Sequence, residues 1–177
     1  MKTNPPPSEQ TPRSPASLPF VLTRTFDASR ETVWKAWTDR DELMRWFGPQ
    51  GFTIPTCKLD LRPGGLFHYC VRTPDGHEMW GKWVFREIVK PEKLVVLVSF
   101  SDAEGGVTRH PMSASWPLET LSTTTFTEHG GKTILTFTWT AYNATEAEQK
   151  TFDQSHDGMT AGWNGTMEQL SAFLEKK

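Results

Sequence analysis

The chain is short of the features that define several large protein classes. It has two cysteines in 177 residues, Cys57 and Cys70, so no disulfide framework can hold it together. No run approaches the roughly 18 apolar residues of a membrane-crossing helix, so no membrane span is expected. The N-terminal segment lacks the apolar centre of a secretory signal, and a cytoplasmic location is expected. The Asn143-Ala144-Thr145 and Asn164-Gly165-Thr166 triplets then carry no weight as glycosylation sites. Positive charge is not in surplus either. Nineteen Lys and Arg stand against 21 Asp and Glu, a formal net charge of −2. Sustained contact with phosphates needs the opposite balance, so no nucleic-acid partner is expected.

Catalytic signatures are also missing. There is no Gly-X-Ser-X-Gly elbow, no phosphate loop and no dinucleotide fingerprint. Asp60, Glu78 and Glu87 are scattered along strand-like runs, and no pair has a spacing that forces acid/base geometry. His156 and Asp157 are neighbours, and neighbours on a helix do not face each other. His156 reads as an interface histidine or as a polar group in a cavity wall. Cys57, His68 and Cys70 offer three zinc-binding atoms without a fourth. No metal and no cofactor is expected.

Aromatic residues, in contrast, are abundant: eight Trp and 11 Phe. Such rings bury large areas, and they either fill a core or line an apolar pocket. They are absent from residues 1–18, which hold five of the 13 prolines. That segment cannot bury enough apolar surface to offset its ordering entropy, so it reads as a disordered Pro-rich tail. One domain is expected over residues 19–177.

Within that domain the pattern predicts a strand over Phe20–Phe26, then a helix through Val33, Trp34 and Trp37 capped by Asp27-Ala28-Ser29. Asp39 and Glu42 have capping-box spacing before a second short helix, Leu43–Phe47, which Gly48-Pro49 stops. Strands are expected over Thr53–Leu61, Leu66–Arg72, Met79–Val89, Lys93–Phe100, Leu118–Thr127 and Thr133–Tyr142, with 101–117 as an irregular loop. A tight turn at Arg62-Pro63-Gly64-Gly65 would set Cys57 opposite Cys70 and Leu59 opposite His68. A cross-strand disulfide is then conceivable, although two buried thiols suit a reducing compartment better. In the last hairpin, Phe126 opposite Ile134 would put Leu121, Thr123 and Thr125 on one face with Leu135, Phe137 and Trp139.

Thr145 and Glu148 form a capping box that opens a final helix, whose apolar stripe runs Phe152, Met159, Trp163, Met167, Leu170, Leu174. Gly158, Gly162 and Gly165 interrupt it, at about 1 kcal/mol each against Ala. They mark a kink, a close approach to the sheet, or room for a ligand.

The predicted fold class is therefore α+β. A curved antiparallel sheet of six to seven strands wraps a long C-terminal helix, with two short helices after the first strand. Space between sheet and helix is the natural ligand site. Its expected walls are Phe67, Trp83, Phe85, Leu121, Phe137 and Trp139 from the sheet, and His156, Met159, Trp163 and Met167 from the helix. Trp46 and Phe52 are expected near its entrance.

The same order of elements carries a set of short motifs. They are Trp46-Phe47-Gly48-Pro49-Gln50-Gly51-Phe52, Asp60-Leu61-Arg62-Pro63-Gly64-Gly65, Pro74-Asp75-Gly76, Pro91-Glu92-Lys93-Leu94-Val95 and Gly162-Trp163. With them the chain resembles bacterial proteins similar to the C-terminal domain of the activator of heat-shock protein 90 ATPase. These belong to the helix-grip superfamily of START-like and birch-pollen-allergen-like domains. The resemblance covers about residues 20–175. It implies a cavity under the C-terminal helix and roles ranging over ligand binding, chaperone contact, resistance and stress response. The first expectation is a non-enzymatic binder of a small hydrophobic or aromatic ligand, as monomer or homodimer. The alternatives are a co-chaperone-like module that stimulates a chaperone ATPase, and an enzyme in which His68 and His156 are the first suspects.

Overall fold

Two side-chain caps start the helical part of the chain. The Ser29 hydroxyl accepts from the Thr32 N–H at 3.3 Å and opens α1, Arg30–Thr38. The Asp39 carboxylate accepts from the N–H groups of Asp41 and Glu42 and opens α2, Arg40–Trp46. Glu42 does not complete the expected capping box. Its carboxylate turns to Lys35 and Lys177, at 3.4 and 2.6 Å.

The computed structural model describes residues 18–177. The predicted Pro-rich tail therefore lies outside the described residues, apart from Leu18, whose N–H donates to Asp153 Oδ1 at 2.9 Å. Eight strands form one antiparallel sheet among the described residues. They are β1 Phe20–Phe26, β2 Thr53–Leu59, β3 Leu66–Arg72, β4 Glu78–Val89, β5 Lys93–Ser101, β6 Val107–Thr108, β7 Glu119–His129 and β8 Lys132–Tyr142. Their order is β1-β8-β7-β5-β4-β3-β2, with the two-residue β6 attached to β5. That short strand lies in the segment expected to be wholly irregular.

Two registers differ from expectation by one residue, and each difference has a turn as its cause. Gly130 and Gly131 both adopt positive φ, +58° and +78°, which closes β7 on β8 with a two-residue turn. Phe126 then faces Leu135 rather than Ile134, so Thr120, Ser122, Thr124 and Phe126 share the inner face with Phe137 and Trp139. Leu121 points to the outer face, between Leu97 and Thr140. Between β2 and β3 the turn is longer than expected, and Cys57 faces Tyr69 while Cys70 faces Thr56. Side chains alternate along a strand, so the two thiols lie on opposite faces of the sheet. Both cysteines are free.

The capping box at Thr145 is present, with the Glu148 N–H on Thr145 Oγ1 at 3.2 Å and the Thr145 N–H on Glu148 Oε2 at 3.0 Å. The predicted single helix is broken once, at Ser155, into α3, Glu146–Gln154, and α4, His156–Glu175. Gly158, Gly162 and Gly165 leave α4 uninterrupted. Phe152, Met167 and Leu170 are fully buried against the inner face, in one core with Val33, Trp37, Phe67, Phe85, Phe126 and Leu135. Each such side chain removed from water contributes roughly 1.5–3 kcal/mol.

Candidate functional site

The inner face of the sheet is not wholly covered. Between it and α4 lies a cavity of about 520 Å³. Trp83 on β4, with Val96, Val98 and Phe100 on β5, forms one wall. Tyr69 on β3 lies across this wall because β4 carries Gly81 beneath it. A Cβ there would come within 2.5 Å of the tyrosine ring. Phe137 and Trp139 on β8 form a second wall, and between the two runs a row of hydroxyls on β7, Thr120, Ser122 and Thr124.

The roof is the face of α4 bearing Met159 and Trp163, with the break residue Ser155 and the glycines Gly158 and Gly162. A Cβ on either glycine would meet nothing within 4 Å. Of the three readings of these glycines, close approach to the sheet is ruled out at both positions, and the uninterrupted helix removes the kink. Both are exposed, so they lie on the solvent side of the cavity. Trp37, Phe47 and Pro49 close the end under α1 and α2.

The opposite end is closed by the loop that follows β6. His110, Ser113, Trp116, Pro117 and Leu118 all line the cavity. Two polar contacts pin this loop to α3. The Arg109 guanidinium pairs with the Glu148 carboxylate, and the Thr151 hydroxyl donates to Ser115 Oγ at 2.9 Å. Trp116 then packs on Phe152, with 5.5 Å between ring centroids.

The electrostatics of the space are simple. Among the described residues no Asp, Glu, Lys or Arg lines it. Burial pushes the Tyr69 phenol far above its ordinary value and holds the His110 imidazole below its own. His110 Nδ1 accepts from the Met112 N–H at 3.0 Å, which keeps that nitrogen unprotonated. Ser155 and Thr166 spend their hydroxyls on helix carbonyls, Thr151 O and Gly162 O, and Thr120 Oγ1 accepts from the Trp139 indole N–H.

Of the twelve residues expected at a ligand site, Trp83, Phe137, Trp139, Met159 and Trp163 line this cavity. Phe67, Phe85 and Met167 are fully buried in the core behind it. Trp46 is buried beneath α1, with its indole N–H on Ala36 O at 2.9 Å, and Phe52 packs near Gly48, off the cavity. Leu121 is on the other face of the sheet, for the register reason given above. His156 packs against Phe20 and Phe152, and its Nε2 is buried without a partner among the described residues.

His68 is on the outer face, stacked on Trp80. Its Nε2 lies 3.0 Å from Asp102 O and 3.1 Å from Ser101 Oγ. A carbonyl only accepts, so Nε2 donates there and is not a base for Ser101. Among the described residues no three His, Cys, Asp or Glu side chains come together as a metal site.

Several lining residues escaped the sequence reading. Tyr69 is two positions from Phe67 and shares its face, so strand alternation contains it. Trp37 and Phe47 were legible only as helix residues, and Trp116 sits in a loop without a period to place it.

An open antiparallel sheet curved round a C-terminal helix, with an apolar space between them, is a helix-grip domain. The family model described as activator of Hsp90 ATPase homolog 1-like protein matches residues 27–175, and the chain belongs to that family. A solution structure of a protein from Arthrobacter aurescens is 28% identical and superposes with a TM-score of 0.73, covering 91% of this chain and 88% of the other. Protein Ms6760 from Mycobacterium smegmatis is also 28% identical, with a TM-score of 0.71 and coverages of 89% and 91%. The AHSA1 protein from Silicibacter pomeroyi, at 17% identity and a TM-score of 0.68 over 89% and 98% of the two chains, shares the fold. No curated protein matches the chain.

Proposed function

We propose that the domain binds a small hydrophobic or aromatic molecule between its sheet and α4, without transforming it. The observation that carries this reading is the cavity itself. Its volume of about 520 Å³ falls within the range of small-molecule sites, and its walls are chiefly aromatic and aliphatic. A core built only for stability fills such a space, because an unfilled void forfeits dispersion contacts. The few polar groups present, hydroxyls and one neutral histidine, suit orientation of a ligand better than bond cleavage. The co-chaperone reading comes with the family description, and the cavity is the feature that favours a ligand over it.

Thermal unfolding against fatty acids, sterols, flavonoids and polyketide-like aromatics tests the proposal. A ligand at 100 times its dissociation constant adds about 2.7 kcal/mol. For a domain of this size that is a rise of roughly 5–10 °C. A saturable shift for one chemical class supports the proposal. No shift with any class, together with stimulation of a partner chaperone's ATPase, favours the co-chaperone reading.

A further inference from the structure

Three consecutive inward positions of β7 carry hydroxyls where the flanking strands carry hydrocarbon. Thr120 lies between Val98 and Ala141, Ser122 between Val96 and Trp139, and Thr124 between Leu94 and Phe137. All three are almost completely buried and line the cavity. The next inward residue, Phe126, is off the cavity and returns to hydrocarbon. The hydroxyls thus end where the empty space ends. The Ser122 and Thr124 oxygens are not among the fully enclosed, unpartnered polar atoms, so they border the cavity space, where hydrocarbon like that of the flanking strands would serve packing alone. Thr120 has its partner in the Trp139 indole. Among the described residues no side-chain hydrogen bond engages Ser122 or Thr124.

The second observation is that none of the described lining residues is charged. A carboxylate or ammonium group entering this space would leave water and find no opposite charge. A neutral hydroxyl or carbonyl would leave water and find a hydroxyl.

We infer that the site selects an uncharged aromatic molecule with a hydroxyl or carbonyl on one edge, and that Ser122 and Thr124 recognise that edge. The inference rests on the ligand-binding function proposed above. The ring system of such a ligand meets Trp83, Phe137 and Trp163, while its polar edge lies along β7. Both hydroxyls donate and accept, so the row serves either type of oxygen.

Three probes on one carbon frame separate these statements: phenanthrene, 9-phenanthrol and phenanthrene-9-carboxylate. Their binding to the full chain is measured by equilibrium dialysis near neutral pH. The phenanthrol is expected to bind at least about tenfold more tightly than the carboxylate, whose charge goes unpaired. Ser122→Ala and Thr124→Val each remove an oxygen and little else. Each is expected to weaken phenanthrol binding roughly three- to tenfold relative to phenanthrene binding. Circular dichroism melts establish that the variants are folded.

Carboxylate binding equal to or tighter than that of the phenanthrol overturns the selection rule and leaves the ligand site standing. So do variants that lose phenanthrene and phenanthrol alike. If none of the three probes binds the folded chain, the inference fails, and the melting shifts with the wider panel above decide separately whether the ligand-binding reading fails with it.

Discussion

The indole rings of Trp37 and Trp163 lie nearly parallel, 9° apart in plane and 6.5 Å apart in centroid. Trp37 belongs to α1 and is almost wholly buried, whereas Trp163 belongs to α4 and is half-buried on the cavity roof. The second ring is therefore seated on the first. Phe137 also packs against it, tilted by 41° with 4.4 Å between centroids. A ligand in the cavity meets an aromatic surface whose position is set before binding, which lowers the ordering cost of association.

Trp163→Ala is expected to lower affinity for an aromatic ligand roughly two- to tenfold, since aromatic contacts of this kind are worth roughly 0.5–1.5 kcal/mol beyond their area. The ring is not fully buried and contributes less to folding than a fully buried Trp, whose loss costs about 3–5 kcal/mol. The variant should therefore still melt cooperatively. Dialysis and a thermal melt on the same sample check both statements, and unchanged affinity would remove Trp163 from the site.

How far the molecule was legible in its sequence depended on whether a local rule decided the matter. The Thr145–Glu148 capping box depends on spacing alone, and β1 and β3 end where their alternating patterns end. The β7–β8 register is different. Residues Glu128 to Lys132 accommodate a longer connection as readily as a two-residue turn, and only positive φ at both Gly130 and Gly131 decides. One residue of slip replaces Thr120, Ser122 and Thr124 on the wall by Leu121, Thr123 and Thr125. The most informative polar row in the site was therefore hidden behind a single turn. The loop carrying His110 and Trp116 was hidden for another reason: tertiary contacts to α3, not periodicity, place it.

The glycines of α4 invite a stability test. A Cβ at Gly158 or Gly162 meets open space, and neither residue has a positive φ. Gly158→Ala and Gly162→Ala are each expected to stabilise the fold by up to about 1 kcal/mol, through helix propensity alone. Gly162→Phe places a ring on the solvent side of the cavity, and ligand association should slow several-fold. Melting curves and stopped-flow binding read the two effects. A destabilised Gly162→Ala would mean that the helix needs glycine there for its backbone.

The cysteines give a chemical test of register. Cys57 faces inward and Cys70 outward, and burial pushes both thiols above their ordinary value. For Cys57 this outweighs the nearby Arg40, and for Cys70 the neighbouring Glu78 acts in the same direction as burial. Both should stay protonated and react slowly with iodoacetamide near neutral pH. The melting temperature should not change with a reducing agent. A drop on reduction would require a disulfide, and with it the Cys57–Cys70 pairing that the observed register excludes.

The Arg109–Glu148 pair makes the loop over the cavity sensitive to acid. Burial alone would raise the Glu148 carboxyl, but the Arg109 guanidinium and the Thr145 N–H outweigh it and hold the group below its ordinary value of 4.5. A carboxyl depressed in the folded state gives stability that is complete above the unfolded value and is lost as pH falls through the folded one. The contribution should therefore be constant at neutral pH and decline below about pH 4.5. Arg109 is half-exposed, so solvent screening limits the pair to about 1 kcal/mol. Arg109→Ala should lower stability by that amount at pH 7, and the difference from the unmodified chain should shrink as the pH is taken below 4. Because Arg109 also anchors the loop bearing His110 and Trp116, the variant should release a bound ligand faster at pH 7. Denaturant titrations at several pH values, with ligand dissociation measured alongside, read both. A stability difference that stays constant into acid would mean that Glu148 acts through its helix cap and not through Arg109.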